Sequence, residues 1–240
     1  MAGGIDQRKG GLYLREMLPV LRGLWRGDFE HHGEVWHFPP ATSVPKPLQQ
    51  PHPPIWVAAR DPDTFAWAMA AGANIMATPL SRPHAEVLVL GQRFAETLAK
   101  LPGISRPRFL MLRRTCVCER DEDWVVPVQI SAEYNRRLEN LFLNIGTVEN
   151  GFPQLAPWEQ IANPDDYIPE RVRDGMVVGT PEQVVAKLKQ YAAIGVDQFC
   201  YGASFGLSHD AAMRSLELFI SRVMPHFTPD HGRHSNTTTT

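Results

Sequence analysis

The 240-residue chain has no apolar run approaching the roughly 18 residues that cross a bilayer, so the sequence offers no transmembrane helix. Cysteine is scarce. Cys116, Cys118 and Cys200 are too few, and odd in number, for a disulfide framework, and none forms the C-x-x-C spacing of redox or zinc sites. Neither sign of charge dominates: 24 basic residues face 26 acidic ones for a net charge of -2, which leaves no electrostatic ground for nucleic acid or an anionic membrane as a partner. Met1 to Gly11 lack the apolar stretch of a secretory signal. The phosphate-binding patterns G-x-G-x-x-G and Walker A do not occur, Ser-centred nucleophile chemistry is not expected, and no acid pair is placed for glycoside chemistry. The expectation is a cytoplasmic globular protein.

What is present is an alternation of strands and helices. Leu14, Met17, Leu18, Leu21, Leu24 and Trp25 follow a helical period from Leu12, with Pro19 predicting a kink or restart. Phe29 to Phe38 reads as a short hairpin around His32-Gly33. Seven prolines between 39 and 54 exclude regular structure, leaving a polyproline linker or an ordered excursion. Apolar runs at 55–59, 73–77, 109–117 and 196–202 read as strands, those at 55–59 and 73–77 buried on both faces. Helices are expected at 62–71, 83–100, from about 122 to 144, from Pro181 to a stop at Gly195, and at about 209–224. Residues 145–178 read as loop-rich, and the tail 228–240 as disordered. Thr180, Pro181 and Gln183 have the order of a capped helix start. Such alternation points to an α/β fold with a parallel sheet, yet four strands cannot close an eight-stranded barrel.

The strongest candidate site is Arg60-Asp61-Pro62-Asp63-Thr64, directly after the strand ending at Ala59. Ligands of parallel α/β proteins sit beyond the carboxyl ends of the strands, where a helix start offers free N–H groups to an anion. Arg60 adds a permanent charge with fork geometry, and the Thr64 hydroxyl is a further donor. Asp61 and Pro62 are equally what a plain helix start requires, and Asp63 would repel an anion. His31, His32 and His37 have no carboxylate or cysteine in ligand register, and His226, His231 and His234 near the tail offer adventitious chelation only, so no dedicated metal site is expected. Cys116 and Cys118 share a strand face and read as buried, inert thiols. Of Arg113 and Arg114 one must point inward, toward an anion or an ion pair at the strand end.

Several stretches together resemble the luciferase-like, flavin-dependent monooxygenases. They are 21–27, 29–38 around His32-Gly33, 45–58, Arg60-Asp61-Pro62-Asp63-Thr64-Phe65 with Trp67 and Gly72, 179–184, 195–197, and 215–219 with Met224-Pro225. The likeness runs from about residue 8 to 227 and makes 1–227 one domain. It implies a (β/α)8 TIM barrel, reduced FMN as cofactor with a deazaflavin as the alternative, and oxygenation of a small organic substrate with O2. A flavin reductase would supply the reduced flavin. The resemblance places the flavin phosphate at the turn after the fifth strand, which falls on Arg60, Asp61 and Thr64. In that family the helix resembling 12–25 follows the fourth strand, so the barrel is expected to be incomplete, with about its last four strands. The histidine credited with catalysis belongs to the earlier half; His31 and His32 do not match it, and no catalytic residue is assigned. The competing expectation is a non-catalytic or truncated half-barrel acting as a flavin-binding or structural partner. Open sheet edges favour a homo-oligomer or a missing barrel half against this chain.

Overall fold

A computed structural model describes residues 9–227 of the chain; the tail expected to be disordered, with His231 and His234, lies outside them. Helix α1 (Gly10–Arg26) leads into an antiparallel hairpin of β1 (Phe29–His32) and β2 (His37–Ala41). The proline-rich stretch then carries the chain to β3 (Trp56–Ala58), followed by α2 (Pro62–Ala70), β4 (Asn74–Ala77), α3 (His84–Ala99) and β5 (Phe109–Val117). A long excursion holds α4 (Val125–Leu143), a two-residue-per-strand hairpin β6 (Val148–Glu149) and β7 (Phe152–Pro153), and α5 (Pro169–Asp174). The chain returns through β8 (Val177–Gly179), α6 (Pro181–Ala193), β9 (Gln198–Gly202) and α7 (His209–Leu218).

Five strands pair in parallel. The order is β3-β4-β5, with β9 beside β5 over Leu110–Arg114, and β8 pairing only its last three residues, Thr115–Val117. Four strands were expected; β8 is the addition, three residues long at the end of a segment read as loop. Pro19 does not break α1, which runs through it as one 17-residue helix. Both Pro19 and Arg15, whose carbonyl loses its amide partner there, face solvent, so water replaces the missing bond.

The two faces of the sheet differ sharply. On the outer face Val57, Ile75, Ala77, Phe109 and Met111 are buried beneath Phe65, Ala68 and Met69 of α2, Val87, Leu90 and Phe94 of α3, and Val184, Val185 and Leu188 of α6. Each of these side chains larger than alanine contributes about 1.5–3 kcal/mol. Phe109 stacks on Phe94 with centroids 4.7 Å apart and meets Phe65 edge-on. On the inner face Trp56, Met76, Leu110 and Leu112 are only half-buried and Ala58 is exposed. A second core, of Cys116, Cys118, Val128, Val172, Met176, Val178 and Phe205, fixes the excursion to the end of β5.

Candidate active site

The turn after β3 and the loop after β4 lie side by side at the carboxyl end of the sheet. Ala58, Ala59, Arg60, Asp61, Met76, Thr78 and Leu80 line a cavity of about 380 Å³ between them. Asp61 caps α2: its carboxylate accepts the Thr64 amide at 2.8 Å. Burial works against the charge of Asp61, but the bonds from the Thr64 hydroxyl and amide prevail and hold its pKa below the ordinary value. The Arg60 carbonyl accepts from the Arg93 guanidinium, while the Arg60 side chain makes no ion pair among the described residues.

Of the three residues singled out in sequence, Arg60 and Asp61 therefore reach one cavity and Thr64 does not line it. The helix start serves itself first, because Asp61 has taken the Thr64 amide that an anion would need. What is left for an anion is the Arg60 guanidinium beside two small alanines, since Asp61 draws on the Asp63 amide as well.

Arg60 also borders a second cavity, of about 570 Å³, that sequence reasoning did not find. One wall is the loop of Pro79, Leu80, Ser81, Arg82 and Pro83; the other is the excursion, with Asn135, Leu138, Glu139, Phe142, Asp166 and Tyr167. The Tyr167 hydroxyl donates to the Glu139 carboxylate, and burial, then this bond, raises its pKa, so the phenol stays protonated. Trp158 meets Tyr167 edge-on at 5.3 Å and carries the Arg136 guanidinium on its face at 4.2 Å. These contacts span 28 residues of chain between Glu139 and Tyr167, and no local signal announces them.

Arg113 and Arg114 are both buried, and neither meets the carboxylate that one sequence alternative required. Arg113, fully buried on the outer face, donates to the Arg82 and Asp174 carbonyls at 2.9 and 3.4 Å. It thereby ties the loop after β4 to the end of α5. Arg114, on the inner face, donates to Ser131 at 2.9 Å and to Asn135, and stacks over Tyr134. Burial lowers its pKa to about 10.

The remaining sequence candidates are accounted for locally. Glu16 of α1 accepts from His31 at 2.9 Å and from the Trp36 and Val35 amides at 2.7 and 3.0 Å, so His31 pins the hairpin to α1. His32 and His37 face each other across the hairpin, and no group of three or more metal-ligating residues forms among the described residues. Cys116 and Cys118 are buried; Cys118 is raised by its neighbour Cys116 and by burial. Gly202-Ala203-Ser204-Phe205-Gly206 does spell the G-x-S-x-G of a nucleophile elbow, which the sequence reading passed over. Its geometry departs from that motif, since α7 begins only at His209 and not at the serine.

A family model described as luciferase-like monooxygenase matches residues 2–198. The oxygenase component of flavin-dependent trigonelline monooxygenase from Acinetobacter baylyi is 39% identical over 228 residues, covering 95% of this chain and 63% of that protein. The chain thus spans less than two thirds of that relative's length. Among solved structures, monooxygenase RslO1 from Streptomyces bottropensis aligns with a TM-score of 0.69 at 20% identity, over 93% of this chain and 64% of that one. An F420-dependent secondary alcohol dehydrogenase gives 0.65 at 14% identity, over 95% and 65%. The oxygenating constituent of 3,6-diketocamphane monooxygenase of Pseudomonas putida, in complex with FMN, gives 0.58 at 16% identity, over 95% and 70%. At these identities the structural likeness concerns the fold.

Proposed function

The chain belongs to the luciferase-like monooxygenase family, and from that premise we propose that it is the flavin-binding part of a monooxygenase that uses reduced FMN and O2. The observation that carries the reading is Arg60: a guanidinium with no carboxylate partner among the described residues, at the carboxyl end of a parallel strand, over a cavity lined by Ala58 and Ala59. This fits the phosphate of FMN, with Arg60 as its charged holder and Asp61 and Thr64 fixing the turn that presents it. When bound, the flavin supplies the oxygen chemistry, and the protein's part is to orient it and exclude water. Arg60 would equally suit the phosphate of a deazaflavin; the relative of 39% identity, itself a flavin-dependent oxygenase component, favours FMN and a separate reductase that delivers it reduced. Trigonelline, for which that relative is named, is the first substrate to try.

The open sheet and its half-buried inner face support a place within a (β/α)8 barrel, where further strands would cover Trp56, Met76, Leu110 and Leu112. Titration of the purified protein with FMN, read by flavin fluorescence, tests the proposal. Saturable quenching is expected, and none up to millimolar flavin would contradict it. Saturable flavin binding without oxygenation in the presence of a reductase would instead favour the non-catalytic half-barrel.

A further inference from the structure

The excursion between β5 and β8 carries an arm whose apolar side chains stand in solvent. Asn140, buried near the end of α4, fastens it. Its side-chain amide donates to the Thr147 and Gln154 carbonyls at 2.8 and 2.9 Å, and its side-chain oxygen accepts the Gly146 amide at 2.7 Å. The Asn144 amide, in left-handed conformation, closes the helix on the Asn140 main-chain carbonyl at 2.7 Å. The last turn of α4 and the β6–β7 hairpin are thereby one fastened unit.

Leu141, Phe142 and Leu143 are 58, 67 and 58% exposed, and Val148 and Phe152 are 57 and 72% exposed. Consecutive helical positions point about 100° apart, so the first three clothe more than half of the helix circumference. Val148 and Phe152 sit in adjacent cross-strand pairs and so take opposite faces of the hairpin. Glu149 is the one charged residue from Asn140 to Trp158, in a chain where charged residues make up 21%. An element apolar on every side is suited to being enclosed.

We propose that this arm is a dimer contact, enclosed by the same arm of a second copy of the chain about a two-fold axis. The five side chains offer roughly 600 Å² of apolar surface, the top of what a monomer ordinarily leaves exposed together. A two-fold contact uses the same surface twice, so two arms reach about 1,200 Å², the lower bound of a stable interface. The scarcity of charge favours a permanent homodimer over a transient encounter with another protein, whose contact surface is as polar as the rest. Phe142 and Leu143 belong both to the arm and to the lining of the 570 Å³ cavity. The partner's arm would therefore border the cavity that Arg60 reaches. The proposal holds whatever Arg60 binds.

Sedimentation equilibrium of the purified chain across the micromolar range tests it, and a reversible dimer is expected. Leu141→Glu with Phe152→Glu, neither of which lines the cavity, puts charge into the contact and should leave a monomer throughout. Leu141→Ser with Phe152→Ser removes apolar area without adding charge and should weaken the dimer at least about tenfold, the effect of truncating one interface anchor. Val44→Glu with Leu48→Glu changes two apolar side chains elsewhere, 81 and 96% exposed, and should leave the dimer intact. Far-UV circular dichroism matching the parent shows that each variant keeps the fold. A parent that stays monomeric would overturn the proposal. A dimer that survives both arm variants would overturn it by moving the contact to the open sheet edges, and so would a dimer lost equally in the Val44 and Leu48 control.

Discussion

Replacing Arg113 separates two costs that a buried charge normally mixes. The side chain is fully buried, with no carboxylate within 4.0 Å among the described residues, and its bonds are to two carbonyls. Arg113→Met keeps most of the volume and removes the charge. It strands the Arg82 carbonyl, at about 1–3 kcal/mol, whereas the Asp174 carbonyl keeps the Lys187 ammonium at 2.9 Å. Against that, releasing a buried charge without a counter-ion is worth roughly 1–4 kcal/mol. The two nearly cancel, so Arg113→Met should unfold within about 1 kcal/mol of the parent. Arg113→Ala loses the same charge and leaves a cavity besides, which costs about 2–5 kcal/mol for a side chain of this length. Urea denaturation followed by circular dichroism at pH 7, with unchanged m-values, measures both. If Met proves as damaging as Ala, the charge itself is needed, and the account of Arg113 as a holder of carbonyls is wrong.

Three further outcomes follow from the same contacts. Burial opposes the charge of Glu16, but bonds from Trp36, His31 and Val35 lower its pKa below 4.5, so the hairpin attachment should hold at neutral pH, weaken as pH falls below 4.5, and vanish below the folded value. Hydrogen exchange at the Val35 and Trp36 amides reads this, and a flat profile through that range would refute it. Lys187 is lowered to about 8, first by burial and then by Arg113, so the unfolded chain binds its proton more tightly; stability from this group should rise between pH 8 and its ordinary 10.5. Lys187→Met should remove that slope in urea melts run across the interval. Gly91→Ala would bring a Cβ within 2.8 Å of Ile194, where α3 packs against the turn after α6, and should cost about 1–3 kcal/mol, visible as a lower Tm.

Much of the scaffold was legible because local chemistry and tertiary packing agree. Asp61 before Pro62 and Gln183 after Thr180 cap α2 and α6 as their order suggests, the Gln183 side chain accepting the Thr180 amide at 3.0 Å, and Gly195 ends α6 with φ of +89°. The runs at 55–59 and 73–77 announced strands through apolar content alone. Their outer faces are fully buried and their inner faces are not, a distinction that depends on what lies across the sheet and not on the run itself. β8 was missed because three residues carry no period. Arg60 and Asp61 were found because a strand end followed by a helix start is a local pattern. The far wall of the second cavity was not, because Glu139 and Tyr167 meet through the packing of α4 against a segment with no pattern of its own. The pairless Arg113 shows the same limit: the sequence signals a charge within a strand, while the carbonyls that hold it come from distant turns.

The central claim is that Arg60 holds the phosphate of a flavin mononucleotide. Fluorescence titrations of FMN and riboflavin against the parent protein and Arg60→Ala test it directly, since the two ligands differ only in the phosphate. Loss of one charge-assisted contact, about 1.5–3 kcal/mol, should weaken FMN by roughly 10- to 150-fold while riboflavin changes by no more than about twofold. Equal weakening of both ligands would contradict the claim and leave Arg60 a residue of the fold.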